Sequence, residues 1–234
     1  MTLASCDSRK TAGENPFFTE WDTPHGVPPF DKILPEHFMP AFERGMSLHE
    51  AEIDAITSNK DEATFENTIL AYDNAGQMLA QTELVFGMLC AAETNDRMQA
   101  LQEQAMPLLA AHRDKIRLDD KLFVRVKEVY DRRAALGLDA EQMRLLQKTY
   151  DSFVRAGALL DAEQKARLKE INGQLSLTAV KFGNNILAEN NNFVLELKSD
   201  ELDGLPAGIR DAAREKAQQM GKGDKWVFTL HKPS

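Results

Sequence analysis

From Pro35 to about Asn190, apolar residues recur at spacings of three and four with almost no interruption. A chain patterned this way must bury one stripe on each of several helices, and packing helices on helices does so most simply. The spacing predicts a first helix over about 36–57. A second runs from Thr64 to about Ala92, with Phe65, Ile69, Tyr72, Gly76 and Leu79 on one buried face. A third covers about 96–116, where Pro107 should kink or interrupt it because proline lacks the amide the helix needs. A fourth spans about 120–134 on Leu122, Val126 and Val129 and stops near Gly137. A fifth carries Met143, Leu146, Tyr150, Phe153 and Gly157; a sixth carries Leu168, Ile171, Leu175, Thr178, Phe182 and Ile186. Both rows are expected to be core stripes. The connections are short, so neighbouring helices should be antiparallel and the fold class mainly α, an antiparallel helical bundle.

The last two helices begin with the same pentapeptide, Leu-Asp-Ala-Glu-Gln, at 138–142 and 160–164. Asp with Gln three residues later fits a capping box, in which the two side chains satisfy amides left open at a helix start. Nothing beyond the pentapeptide matches, so capping chemistry accounts for the likeness better than an internal repeat.

Both ends of the chain break the helical pattern. Residues 1–14 are polar and expected to be a tether. Residues 15–35 hold Pro24, Pro28, Pro29 and Pro35, which exclude helix interior, together with Phe17, Phe18, Trp21 and Phe30. That many aromatics implies an arm wrapped across the helical core, so 15–190 reads as one helical domain with an extended arm. Residues 191–234 read as strand, helix, strand: Phe193–Leu197, an amphipathic 206–220, and Lys225–Leu230. Two strands alone make a marginal sheet, and this segment is expected to be incomplete without further chain.

Of 234 residues, 43% are hydrophobic and 28% charged, an ordinary globular balance, and the net charge is −9. The acidic excess is spread through helices, which gives no footprint for nucleic acid. Two cysteines occur. Cys90 lies in an apolar stretch and reads as a buried free thiol, although one long-range pairing with Cys6 is formally open. Leu3-Ala4-Ser5-Cys6 fits the lipobox that precedes a lipidated cysteine, which makes Cys6 a candidate lipidation site and a lipid anchor the one route to a membrane. An export signal needs roughly 7–15 apolar residues ahead of such a box, and only Met1 and Thr2 precede Leu3. The expected location is therefore the cell envelope or periplasm if a signal lies upstream, and the cytoplasm otherwise.

Catalytic chemistry is sparse. His49-Glu50-Ala51-Glu52-Ile53 starts like the zinc motif H-E-x-x-H but has Ile53 where the second imidazole must stand, so a solvated helix face is the better reading. His25, His37, His112 and His231 have no partner at ligand spacing, and His37 is assigned to helix-start packing or hydrogen bonding. Asp119 and Asp120 sit at a helix start, where the dipole favours negative charge. Gly221-Lys222-Gly223-Asp224-Lys225 is a turn, not a phosphate loop. Met78, Met88, Met98 and Met106 read as core gap-fillers. No catalytic, metal or cofactor residue is assigned within this chain, and substrate-binding residues are not legible.

Five segments, in order, carry a family resemblance: Asn15-Pro16-Phe17; Pro28-Pro29-Phe30-Asp31-Lys32-Ile33; Pro35-Glu36-His37-Phe38 with Pro40-Ala41-Phe42; Thr64-Phe65-Glu66-Asn67-Thr68-Ile69; and Glu201-Leu202-Asp203-Gly204-Leu205-Pro206. Together they resemble the amino-terminal region of the M3 metallopeptidases, specifically the bacterial peptidyl-dipeptidase (Dcp) branch, from about Asn15 to Ser234. The resemblance implies a largely helical zinc enzyme that hydrolyses short peptides in a deep channel, with this chain as a non-catalytic wall. The implied zinc, its H-E-x-x-H ligands and the general base would lie in a carboxyl-terminal catalytic part, the expected partner, several hundred residues beyond Ser234. A stand-alone helical scaffold or interaction module without peptidase activity is the alternative.

Overall fold

The computed structural model describes residues 14–230, which form two compact units, Met1–Leu177 and Thr178–Ser234. The lipobox and Cys6, and likewise His231, lie outside the described residues. The architecture is mainly α, as the periodicity predicts. The helices are α1 (Phe38–Ser58), α2 (Ala71–Asp73), α3 (Gln77–Ala92), α4 (Asp96–Arg117), α5 (Asp120–Asp131), α6 (Ala140–Arg155), α7 (Ala162–Asn192) and α8 (Ala207–Gln219). Two short strands, β1 (Leu195–Leu197) and β2 (Trp226–Phe228), pair antiparallel with Glu196 opposite Val227.

In the first unit the arm does wrap onto the helices, and hydrogen bonds fix it there. Asn15 accepts from the Phe17 amide at 3.1 Å and donates through Nδ2 to the His37 carbonyl at 2.8 Å, which joins two of the family-like segments. Trp21 donates from its indole to the Pro16 carbonyl at 2.8 Å. Phe17 then reaches a buried cluster built on Phe38 and Phe42 of α1, Phe86 of α3 and Leu109 of α4. Rings of this cluster meet edge-on, with Phe38 to Phe86 at 4.9 Å and Phe42 to Phe86 at 5.4 Å, the geometry their quadrupoles favour. Gly45 permits the tight crossing of α1 and α3, since a Cβ there would stand 3.0 Å from the Leu79 Cα. A second cluster gathers Ile69, Leu122, Val126, Leu146 and Phe153.

Both capping boxes form as the pentapeptides predict. Asp139 accepts from the Glu141 and Gln142 amides at 2.9 Å while Gln142 reaches back to the Asp139 amide; Asp161 and Gln164 repeat the exchange. Asp119 caps α5 through the Leu122 amide at 2.8 Å. In the second unit α8 packs on the two-stranded ribbon, burying Ala213, Ala217, Val227, Leu202 and Val180. Glu196 ties the hairpin side to the Gly221–Lys225 turn through Lys222 and Lys225.

Four expectations need correction. The predicted second helix is broken but keeps its course along α1: a wide π-helical turn (Phe65–Leu70) runs into α2, and left-handed backbone at Gly76, φ +74°, separates it from α3. Gly76 is therefore a hinge in left-handed backbone, which costs other residues strain, and its amide donates to the Glu52 carboxylate at 2.7 Å. Of the kink or interruption expected at Pro107, the interruption does not occur: α4 runs unbroken past it, with Ala105 and Leu109 on either side each 1% exposed. The α7 row is not core: Ile171, Leu175, Phe182 and Ile186 are 43%, 62%, 65% and 46% exposed. Met88 is also exposed, whereas Met98 is buried and Met78 and Met106 pack against the aromatic cluster.

Candidate functional site

Two polar constellations are built into the first unit, and each is made by residues distant in sequence. The first lies between α1 and α4. His112, buried on α4, meets His49 of α1, with His112 Nε2 and His49 Nδ1 3.0 Å apart, so that one ring donates and the other accepts. The Glu50 carboxylate stands 3.5 Å from His112 Nδ1 and takes Lys115 Nζ at 2.7 Å. His112 Nδ1 makes no hydrogen bond among the described residues. Gly76 completes the enclosure, since a Cβ on it would come within 2.8 Å of His49 Nδ1.

Burial holds both imidazoles below their usual pKa. For His49 the next cause is the charge that His112 would carry; for His112 the Glu50 carboxylate pulls the other way. The hydrogen bond from Lys115 holds Glu50 below the usual carboxylate range. At neutral pH the pair is thus an uncharged bond between two helices, with a surface ion pair over it. The solvated-face expectation for His49 is corrected here: no sequence spacing links residue 49 to residue 112, and only the packing of α1 on α4 brings them together. His37 behaves as expected, its Nδ1 accepting the Leu34 amide at 3.1 Å to start α1.

A zinc ion does not fit these side chains. Ile53, at the place of a second histidine, is 3% exposed in the apolar core, and the one available imidazole pair is spent on a mutual hydrogen bond rather than converging on a shared point. Among the described residues no group of three or more His, Cys, Asp and Glu is arranged to hold a metal ion.

The second constellation explains the segment Thr64–Ile69. Thr64 Oγ1 accepts the Asn67 amide at 3.1 Å and Asn67 Oδ1 accepts the Thr64 amide at 2.8 Å, a reciprocal cap on the π-helical turn. That same Asn67 oxygen takes the Arg125 guanidinium at 3.1 Å and the hydroxyl of fully buried Thr68 at 2.8 Å. Arg125, only 9% exposed, also donates to the Asn59 and Asp61 carbonyls at 3.0 and 3.1 Å. Arg132 bonds the Ala63 carbonyl and pairs with Glu62. Two arginines of α5 and its end therefore staple the 59–63 loop, and the charge on Arg125 is met by neutral oxygens alone. Arg125 escaped the sequence reading; a cation at a position on the buried Leu122–Val126–Val129 side was the signal.

Cys90 is a half-buried thiol beside the aromatic cluster, and burial pushes its pKa up, which makes it a poor nucleophile. The five family-like segments thus cap, turn and pack: Leu202 is buried, Gly204 turns at φ +85°, and Pro206 opens α8.

Comparison with known proteins gives these segments a common origin. No family model matches the chain. It is 38% identical over 217 residues to the dipeptidyl carboxypeptidase of Escherichia coli (strain K12), a match covering 92% of this chain and 32% of that protein. The dipeptidyl carboxypeptidase of Salmonella typhimurium is 36% identical over the same span. Oligopeptidase A of Escherichia coli is 24% identical over 213 residues, 91% of this chain and 31% of that protein. The chain spans about a third of the length of these curated relatives. With 92% of its residues matched at this identity, the chain belongs to the M3 peptidase family, where it corresponds to the amino-terminal part of the dipeptidyl carboxypeptidases.

Proposed function

We propose that this chain is the non-catalytic amino-terminal wall of a peptidyl-dipeptidase-like zinc metallopeptidase, shaping a channel that admits short peptides. The observation that carries this reading is the 38% identity sustained over 92% of the chain to a dipeptidyl carboxypeptidase. The chemistry belongs to the carboxyl-terminal part that such relatives possess: zinc would supply the activated water there, while this chain's own residues position helices and exclude large substrates. The exposed row Ile171, Leu175, Phe182 and Ile186 on α7 supports the same reading, because apolar side chains at one helical spacing are surface that a further part of the protein would cover. An upstream signal peptide would make Cys6 the lipidated amino terminus and anchor the enzyme at the cell envelope.

A chimera tests the proposal. The matched amino-terminal region of the Escherichia coli relative is replaced by this chain, and dipeptide release from short peptides is assayed with and without chelator. Chelator-sensitive release, with intact proteins excluded, is expected. A folded chimera that holds zinc but cleaves no peptide would overturn the channel-wall role and favour a separate scaffold function.

A further inference from the structure

A cleft of about 570 Å³ lies where the end of α4 meets α6, and its charge runs against that of the molecule. The chain carries −9 overall, yet Arg117, Arg144, Lys148 and Arg155 all line this cleft, with Asp151 as the one carboxylate. Asp151 accepts from Gln147 Nε2 at 2.9 Å, and its single charge offsets one of the four. Arg117 reaches the Tyr72 hydroxyl, which brings it no charge. None of the four cations has a carboxylate partner among the described residues. Elsewhere in the first unit Arg97, Arg113, Lys115, Lys127, Arg132, Lys165 and Arg167 are paired, while cations without a carboxylate partner among the described residues, such as Lys32, Lys60, Lys121 and Lys169, do not gather around one cleft as these four do.

Helix dipoles account for Arg117 and Arg155, each in the last turn of its helix. They do not account for Arg144 and Lys148, which stand in the body of α6 on the same face as Arg155. Four cations against one carboxylate around a single concavity repel one another, and an anion in the cleft relieves that. Guanidinium forks suit carboxylates in particular, through paired parallel hydrogen bonds.

The spacing selects the anion's form. At a rise of about 1.5 Å per residue, Arg144 and Lys148 stand about 6 Å apart along α6, and Lys148 and Arg155 about 10 Å. An extended peptide rises about 3.3 Å per residue and shows every second side chain on one face, so acidic side chains at alternate positions match the Arg144–Lys148 interval and continue along the row. A single phosphate would satisfy only one step of the row. A nucleic-acid strand would also present repeated charges, but the surfaces between the cations are Ser152 and Ala156, with no aromatic ring for a base to stack on.

We propose that the α4–α6 cleft is a binding site for an extended acidic peptide segment, held by Arg144, Lys148 and Arg155 along α6 and by Arg117 across from them. The site stands on this chain's own side chains and does not rest on the peptidase reading. Its test measures binding rather than cleavage, so failure of the chimera and failure of this site are distinguishable.

The probe is a fluorescein-labelled hexapeptide with Glu at alternate positions, titrated by anisotropy into the 234-residue chain at low salt. The matched Gln peptide, inorganic phosphate and an oligothymidylate serve as comparisons. The Glu peptide is expected to bind about tenfold more tightly than the Gln peptide and to weaken as salt rises. The double variant Arg144→Gln/Lys148→Gln, at positions where glutamine can hold a helix, should lose about tenfold, whereas Lys169→Gln on α7 should lose little. Circular dichroism of both variants verifies that the fold is kept. Equal binding of the Gln peptide, an unaffected double variant, an equal loss in Lys169→Gln, or phosphate or oligothymidylate binding as tightly as the Glu peptide would each overturn the proposal.

Discussion

Replacing Arg125 by Met isolates what the buried guanidinium does, because Met keeps most of the stem and removes every donor. Wild-type Arg125 gives hydrogen bonds to the Asn59 and Asp61 carbonyls and to Asn67 Oδ1. A hydrogen bond from a charged donor contributes about 1.5–3 kcal/mol net. The site is partly buried, so the low end applies, and three such bonds lost amount to roughly 4 kcal/mol. The variant also removes a cost, since the buried Nε of Arg125 has no partner, and an unsatisfied donor costs about 1–3 kcal/mol. The net expectation is a loss of about 3 kcal/mol, or a melting temperature lowered by roughly 10 °C in a chain of this size. A lysine in place of Arg125 can serve one acceptor well, so Arg125→Lys should lose less, about 1–2 kcal/mol. Urea unfolding followed by far-ultraviolet circular dichroism gives the ranking. In a Trp226→Phe background the fluorescence of Trp21, which packs against the cluster of the first unit, reports on that unit separately. Arg125→Met within about 0.5 kcal/mol of wild type would refute the staple, since that is the ordinary range of a surface substitution.

Two further outcomes follow from the α1–α4 junction. Gly76→Ala should destabilise by about 2 kcal/mol or more, as the backbone there is left-handed and the new Cβ meets the His49 ring; a urea midpoint equal to wild type would contradict this. Burial depresses both His49 and His112 in the folded state, so below their unfolded value of about 6.5 the unfolded chain takes up protons first and stability falls as pH falls. Above that value the pair contributes no slope. Urea midpoints at pH 7.5 and 5.0 should therefore drop in wild type and drop less in His49→Gln/His112→Gln. Equal drops would assign the slope to other groups, of which Glu50, Glu52, Glu83 and Lys115 are the nearest charges.

The helical class, the capped starts of α6 and α7 and the docked arm were legible because each depends on neighbours in sequence: a spacing of three or four, an Asp three residues before a Gln, a run of prolines with aromatics. The break at Gly76 was not legible by the same means. Its periodicity continues across the break, since Phe65, Ile69 and Leu79 are all buried, and the amide left open there is taken by a carboxylate from α1, Glu52. Periodicity likewise marked α7 as one-sided without revealing whether that side is covered. An amphipathic stripe states that a face is meant to be buried, and it does not state by what.

The same distinction separates family membership from chemistry. Asn15, His37, Thr64, Asn67, Gly204 and Pro206 sit at a cap, a turn or a helix entry, and the side chains of Asn15, His37, Thr64 and Asn67 each bond backbone there. Such roles are set by neighbours in sequence, so they can be read as an ordered pattern along the chain. Residues that meet a ligand face the opposite situation: Arg117, Arg144, Lys148 and Arg155 make no contribution that local structure demands of all four, and in sequence they look like ordinary solvated charges. They become a site only when α4 and α6 are set side by side and the usual carboxylate partners prove to be elsewhere. The proposed site thus rests on cations that packing gathers from two helices, while the caps and turns rest on residues close to one another in sequence.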